Sequence, residues 1–433
     1  MSICNAPLPC DAFRLQTRRL RLGHTRTTVQ QSLRFTLTFG FLMAVGPFSV
    51  NMYLPSLPML ERDFGPQVQL TMAAYFIGMA LGQLPYGALS DRWGRRPPML
   101  LGMGIYTLAS LACALTTSVE MLIVSRFIQA LGGCSVMVVV RAIVRDLFTP
   151  MEGARVLSTL MLVMGVAPIF GPMVGGWVLL GFDNWRAIFA VLSIYGAACV
   201  LTLWLAFPET RKPGAAKKPD TEPLLLQARL LFSDRYFYGN ALAGGLSQAA
   251  MFGYLAGSPY VLIEYFGVSP QAYGWIFALN ALGLIAASQL NRILLPRWGV
   301  QGVLRRVGML AAGSGAAMLF FAITGVGGMA GIVATMFLCV CTQGFMIPNT
   351  SAAALVKHAP RAGFASGALG TMQFGMAALP SVLLGLTEPQ SPIPLAAIVC
   401  CATLLSLSAR QFIVPRREYA APAASRSGQQ GQQ

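Results

Sequence analysis

The chain has 433 residues, of which 55% are hydrophobic and only 11% charged, with a mean hydropathy of +0.62 and a formal net charge of +16. A soluble protein of this length carries about 25% charged residues, so the composition excludes an ordinary water-soluble globule and leaves lipid as the expected solvent. In a soluble chain the positive balance would point to nucleic acid; in a lipid-embedded one it is the expected mark of basic loops on one side of a membrane.

The first 33 residues are rich in arginine (Arg14, Arg18, Arg19, Arg21, Arg26) and no short apolar core with a small-residue cleavage site follows. They are expected to form a tail, 1–33, rather than a removed signal peptide. A membrane-crossing helix takes about 20 apolar residues, and the sequence predicts twelve, centred within 35–54, 69–89, 99–118, 120–142, 157–180, 187–207, 237–263, 272–294, 305–325, 327–348, 364–387 and 392–413. Between the sixth and the seventh lies "PETRKPGAAKKPDTEP", a charged, proline-rich composition suited to a linker over 208–235. The predicted organisation is therefore a bundle of six helices at 34–207, the linker, a second bundle at 236–413 and a tail at 414–433. The fold class is all-α integral membrane protein, in two six-helix halves.

Charge orients the helices. With the N-terminus inside, the inner segments hold Arg92, Arg95, Arg96, Arg145, Arg155, Arg211, Lys212, Lys217, Lys218, Arg229, Arg235, Arg292, Arg297, Arg305, Arg306, Lys357 and Arg361, and the outer loops only Arg62 and Arg186. That asymmetry predicts both termini in the cytoplasm. An internal echo supports two related halves: "DRWG" at 91–94 follows the second helix and "PRWG" at 296–299 the eighth. Paired six-helix halves are the pattern of a transporter whose site lies between them.

Four stretches carry more than hydrophobicity. "GALSDRWGRRP" holds Gly87, Asp91, Arg92, Gly94, Arg95 and Arg96 in an order that basic loops alone do not require. "GVAPIFGPMVGG" holds Gly165, Pro168, Gly171, Pro172, Gly175 and Gly176; Gly171 and Gly175 share one helix face and permit close backbone approach, and the prolines favour a bend. "SRFIQALGG" puts Arg126 two turns inside the fourth helix, where a cation is costly and marks a functional site by default, the blander alternative being a side chain that snorkels outward towards Glu120. "NMYLPSLP" closes the first helix with Asn51 and Tyr53, and Pro55 and Pro58 are expected to end that helix.

The first of these resembles the signature loop of the major facilitator superfamily, the second the antiporter motif of its drug exporters, and the third an element linked there to proton transfer, with Ala130 in place of its glycine. "MYLPSLP", "SPYVLIEYFGVSP", "FALNALGLIAAS" and "GTMQFG" resemble the drug-resistance family that exports bicyclomycin and chloramphenicol, over nearly the whole chain. The resemblance implies the major facilitator fold with twelve transmembrane helices, multidrug efflux by alternating access in a bacterial inner membrane, proton antiport and a monomer with no enzymatic activity. It also implies a latch in which Asp91 faces the start of the eleventh helix near Gly363 to Gly370. The family has aspartate where this chain has Asn51, and asparagine does not titrate. Asp91, Asp146, Glu152 and Glu264 stand near helix ends; one of these carries the proton, or the substrate does, or the coupling is weak. Without a carboxylate at 51, neutral amphipathic compounds are expected ahead of strongly cationic ones.

The expected substrate-binding residues are Asn51, Tyr53, Arg126, Gln129, Gln248, Met251, Tyr254, Asn280, Gln343, Asn349, Gln373 and Phe374, each equally able to serve as a packing contact between helices. Expected partners are the bilayer, a small drug and protons. No nucleotide-binding Gly-x4-Gly-Lys motif occurs, and the only histidines are His24 and His358, so neither a bound nucleotide nor a metal nor any other cofactor is expected, the energy coming from a proton gradient. Two other readings remain: proton-linked uptake of a metabolite, and a membrane sensor that keeps the helices without transporting.

Overall fold

The computed structural model describes residues 37–148, 150–206, 209, 224–358, 362–387 and 391–415. Among them every long element is a helix. Span one runs over Leu37–Phe64, span two over Gln69–Trp93, span three over Arg96–Leu115, span four over Val119–Leu147, span five over Pro150–Phe182 and span six over Arg186–Ala206. Span seven is Arg235–Pro259, spans eight and nine share the bent helix Pro270–Thr324, and spans ten, eleven and twelve are Gly328–Leu355, Ala362–Gly385 and Ile393–Ile413. Eight of these helices are long and apolar enough to cross a membrane on composition alone. Spans two and seven are as long but carry more polar residues, because each turns a face towards the molecule's interior.

Several boundaries differ from expectation for identifiable reasons. The prolines of span one do not end it: Val45–Asn51 gives way to a 3-10 turn at Leu54–Ser56, and an α-helix resumes at Leu57 and runs to Phe64. Pro55 and Pro58 each sit at the second position of a new helical segment, in the first turn, where a missing N–H removes no bond. Gly87 is inside span two rather than in a turn; the turn is made by Gly94 alone, at φ +91°. Spans eight and nine meet at Gly299, the counterpart of Gly94 in the echo, which also takes a positive φ of 64°. Within the expected linker stands a short helix, Leu224–Ser233, whose Leu231 is buried and whose Leu226 and Leu230 are exposed.

Span three packs on spans four and six, span two on four, and span one on five; span seven packs on ten, eleven and twelve. The halves meet along two seams, span two against span eleven and span five against span eight. One continuous apolar cluster crosses both halves, including Leu57, Leu60, Tyr254, Leu262 and Tyr273. Near the signature loop the apolar clusters belong to one half each, Phe39 to Leu203 in the first and Tyr236 to Val414 or Leu231 to Leu369 in the second. At the opposite end an ion pair joins Arg62 of span one to Glu264, just beyond span seven, 2.8 Å apart. Glu264 lies in a π-helical turn, Tyr260–Tyr265, that follows Pro259.

Candidate functional site

A cavity of about 190 Å³ lies between the halves. Its first-half wall is Gly46, Pro47, Val50 and Asn51 of span one, Tyr75, Phe76 and Met79 of span two, and Met137 of span four. The second half contributes chiefly spans seven and eight, with Gln248, Met251, Phe252, Tyr254, Phe277 and Asn280, and Phe374 from span eleven. The displacement along the chain that relates Arg92 to Arg297 also relates Tyr75 to Asn280, Phe76 to Ala281 and Met79 to Leu284, and all six line the cavity. The two halves thus present the same face of equivalent helices. Phe76 and Phe252 touch across the divide with ring centroids 4.2 Å apart.

Of the twelve expected binding residues, Asn51, Gln248, Met251, Tyr254, Asn280 and Phe374 line this space. Asn51 donates from Nδ2 to the Pro47 carbonyl at 2.7 Å, while its Oδ1 is buried without a partner. Asn280 donates to the Tyr254 hydroxyl at 2.7 Å, and the Tyr254 ring stacks on Phe277. The Oε1 of Gln248 has no partner.

The other six stand behind the wall. Gln343 accepts from Ser247 at 2.6 Å, Asn349 donates to Asn291 at 2.7 Å, and Gln373 donates to Ser351 at 3.1 Å; these bonds tie helices of the second half together. Tyr53, Arg126 and Gln129 form one buried group in the first half. The Arg126 guanidinium points inward, not towards Glu120: its Cζ lies 4.7 Å from the centre of the Tyr53 ring, 4.3 Å from Tyr75 and 5.8 Å from Phe189. Its Nη1 donates to the Ser49 carbonyl at 3.2 Å and to Gln129 Oε1 at 2.6 Å, and Gln129 in turn donates to Ser110. Three rings and two neutral oxygens surround a cation that is 0% exposed. Among the described residues no carboxylate comes within ion-pair distance of it.

The glycine motif of span five explains why Asn51 is held where it is. A Cβ at Gly171 would stand 2.6 Å from that of Asn51, and one at Gly175 would collide with the Met52 carbonyl. Only bare backbone lets span five press on span one at these residues. Gly176 faces Pro270 at the start of span eight, and Pro172 is buried in the same stretch. The side-chain surroundings of residues 165 and 168 lie outside the described residues.

At the signature loop, Arg95 is 2% exposed and is the centre of a knot. It bonds Asp91 and Ser90 at 2.8 Å each and Asp146 of span four at 2.7 Å. Both oxygens of Glu209, beyond span six, accept backbone N–H groups that open span three, from Arg95 at 2.9 Å and Arg96 at 3.0 Å. Arg96 also donates to the Trp204 carbonyl at 2.7 Å, and Arg92 is exposed. The described ion-pair partner of Asp91 is thus in its own half. Span eleven meets span two a few turns earlier, where Thr371 donates to the Ala80 carbonyl at 3.1 Å and Gly370 faces Gln83. Glu152 is in span five, and its side chain lies outside the described residues.

Sequence reasoning missed Tyr75, Phe76, Glu209 and Arg141. The repeat displacement would have found the first two. Arg141 interrupts the apolar run "VMVVVRAIV" one helical turn beyond Met137, and so shares the cavity-facing side of span four. The helix that carries it continues to Leu147, beyond the expected 142.

The Major Facilitator Superfamily model matches residues 39–380. The chain is 34% identical to the "Uncharacterized MFS-type transporter YdgK" of Bacillus subtilis, over 86% of this chain and 93% of that protein. It is 30% identical to the "Bicyclomycin resistance protein homolog" of Haemophilus influenzae, over 88% and 96%, and 32% identical to a "Chloramphenicol resistance protein" of Pseudomonas aeruginosa, over 72% and 74%. In fold it is similar to a D-xylose-proton symporter, with a TM-score of 0.70 at 15% identity over 88% of this chain and 97% of that one. The nucleoside transporter NupG gives 0.72 at 14% identity over 89% and 100%. Twelve spans in two echoing halves, a signature loop knotted by Arg95 and a cavity lined from both halves agree with these likenesses: the chain is a multi-pass membrane protein that belongs to the major facilitator superfamily, with the bicyclomycin- and chloramphenicol-resistance proteins among its relatives.

Proposed function

We propose that the protein is a secondary active exporter of small amphipathic drugs that works by alternating access. The observation that carries this reading is the cavity, walled from both halves by aromatic and methionine side chains and reached by no charged lining residue. Flexible thioethers and rings can repack around varied apolar bodies, as a multidrug site requires. Relatives whose names record resistance to bicyclomycin and chloramphenicol point the same way.

In this reading the signature-loop end faces the cytoplasm of a bacterial inner membrane and both termini are on that side, as the loop charges favour. The protein acts as a monomer. The apolar cluster shared by the halves and the Arg62–Glu264 pair close the outer end. Gly87, Asp91, Arg92, Gly94, Arg95 and Arg96 act as the latch of the inner end, and Gly171, Pro172, Gly175 and Gly176, with Gly165 and Pro168, let span five rock on span one. A proton gradient supplies the energy. Asn51, Gln248, Met251, Tyr254, Asn280 and Phe374 touch the substrate, while Tyr53, Arg126, Gln129, Gln343, Asn349 and Gln373 hold the wall.

The test is a resistance panel in a pump-deficient bacterial host, paired with everted vesicles in which a pH gradient is imposed. The expected result is protection against at least one amphipathic antibiotic and gradient-driven drug accumulation in the vesicles. Net movement in the opposite sense, or drug binding without any movement across the sealed bilayer, overturns the exporter reading.

A further inference from the structure

We propose that the compounds taken by this cavity are acidic amphiphiles, each with an apolar or aromatic body and one carboxylate or similar anion directed towards span four. This rests on the exporter reading and narrows it to a substrate charge.

The argument begins with Arg126. A guanidinium keeps its proton in proteins, so its positive charge remains in the bundle. Burial of a charge is tolerated when a counter-charge and hydrogen bonds compensate it. Here the hydrogen bonds are incomplete and the counter-charge is missing among the described residues. Nη1 has two neutral oxygens, Nη2 reaches only the Met72 sulfur at 3.8 Å, and Nε has no partner. The Tyr53, Tyr75 and Phe189 rings offer their negative faces, which attract a cation without neutralising it.

Tyr75 stands both against Arg126 and in the cavity wall. Its hydroxyl is buried and has no partner. Two incompletely bonded donors therefore lie at the same corner, next to Asn51: the charged one behind the wall, and the neutral one in it with only Ser49 nearby.

Arg141 supplies an independent second observation. It is on the same helix, one turn beyond the cavity residue Met137, on the way from the cavity to the signature-loop end. It is half-buried, and among the described residues no hydrogen bond or ion pair involves it. Span four thus carries two arginines without carboxylate partners on either side of Met137. No acidic residue lines the cavity. An ammonium ion entering from that end meets two like charges and no partner. A carboxylate meets Arg141 first, and then the field of Arg126 and the free Tyr75 O–H.

Three ligands sharing one body isolate the charge: 4-phenylbutanoate, 4-phenylbutanamide and 4-phenylbutylammonium. Binding of each radiolabelled compound to the full chain in lipid nanodiscs is measured by equilibrium dialysis. The expected order is carboxylate at least about tenfold tighter than amide, with the ammonium weakest. Arg141→Gln should reduce the carboxylate-to-amide ratio several-fold without changing amide binding, and Asn51→Asp, which places a carboxylate at this corner, should reverse it. Arg126→Gln should abolish the preference provided its unfolding temperature is retained; Arg141→Gln keeps the test decisive if it is not. Amide binding equal to carboxylate binding, tightest binding of the ammonium, or binding of none of the three overturns the inference. Carboxylate-selective binding with no export from vesicles supports it while sinking the exporter reading. Export of drugs with no preference for acids does the reverse.

Discussion

The loop after span two and the bend between spans eight and nine have the same turn and different chemistry. Gly94 and Gly299 both adopt a positive φ, at 91° and 64°, and Trp93 and Trp298 precede them. In the first half the turn is wrapped in charge: Arg95 binds Asp91 and Asp146, and Glu209 caps the start of span three. In the second half Pro296 replaces Asp91 and Val300 replaces Arg95. Gln301, at the place of Arg96, donates to the Tyr236 hydroxyl and accepts from Arg410 of span twelve. The turn therefore needs only glycine, and the described bonds of the ionic knot are made by residues of the first half and Glu209. Its described bonds tie spans two, three, four and the end of span six together, while span two meets span eleven at a separate seam.

The strongest test of that contrast is Arg95→Ala. Removing one partner of a buried ion pair costs about 3–5 kcal/mol, and because Asp91 and Asp146 are partly in water the expected loss is about 2–3 kcal/mol. Val300→Ala, at the matching position, removes two methyl groups and should cost about 1 kcal/mol. Unfolding temperatures of the two purified variants in the same detergent give the comparison. Equal losses would mean that the charges contribute nothing beyond packing.

The contrast also separates what could be read in the sequence from what could not. The twelve spans and their division six and six were legible because lipid demands long apolar runs, and the echo was legible because a turn glycine after a tryptophan is conspicuous in both halves. The crowding of Gly171 and Gly175 was legible as four-residue spacing. Which surface they crowd was not, since spacing names a face and not its neighbour. Asn51 stood out as polar at the end of an apolar run, but nothing in the run says that its side chain turns back to the Pro47 carbonyl one helical turn earlier. Arg141 falls within the expected span 120–142, and only the cavity residue Met137 one turn earlier marks its face. Glu209 looked like linker because a carboxylate two residues past a helix end has no pattern of its own; only the fold brings it under span three.

A smaller effect comes from the glycines themselves. Gly94 and Gly299 combine a positive φ with ψ near 180°, a region essentially reserved for glycine, where a side chain costs about 1–3 kcal/mol, so Gly94→Ala and Gly299→Ala share that loss. At Gly94 the new Cβ would also stand 2.6 Å from the Glu209 carboxylate, while at Gly299 nothing lies within 4 Å. Gly94→Ala should therefore lower the unfolding temperature further than Gly299→Ala. A larger fall for Gly299→Ala would show that the bend of the second half is the more constrained of the two.

Glu209→Gln gives the smallest change and the most specific one. The carboxylate places both oxygens on the N–H groups that open span three, where the helix dipole favours negative charge. An amide keeps one acceptor and loses the charge, which predicts a loss of about 0.5–1 kcal/mol. Glu209 is exposed, so salt should screen its contribution. Between low and high ionic strength the unfolding temperature of the natural protein should fall towards that of Glu209→Gln. The matching substitution in the second half, Gln301→Leu, removes neutral and charge-assisted bonds to Tyr236 and Arg410 but no anion at a helix start, and its difference from the natural protein should stay nearly constant across the same salt range. If the Glu209→Gln difference stays as constant as that of Gln301→Leu, the first half's knot is held by hydrogen bonding alone, and the electrostatic distinction between the two turns disappears.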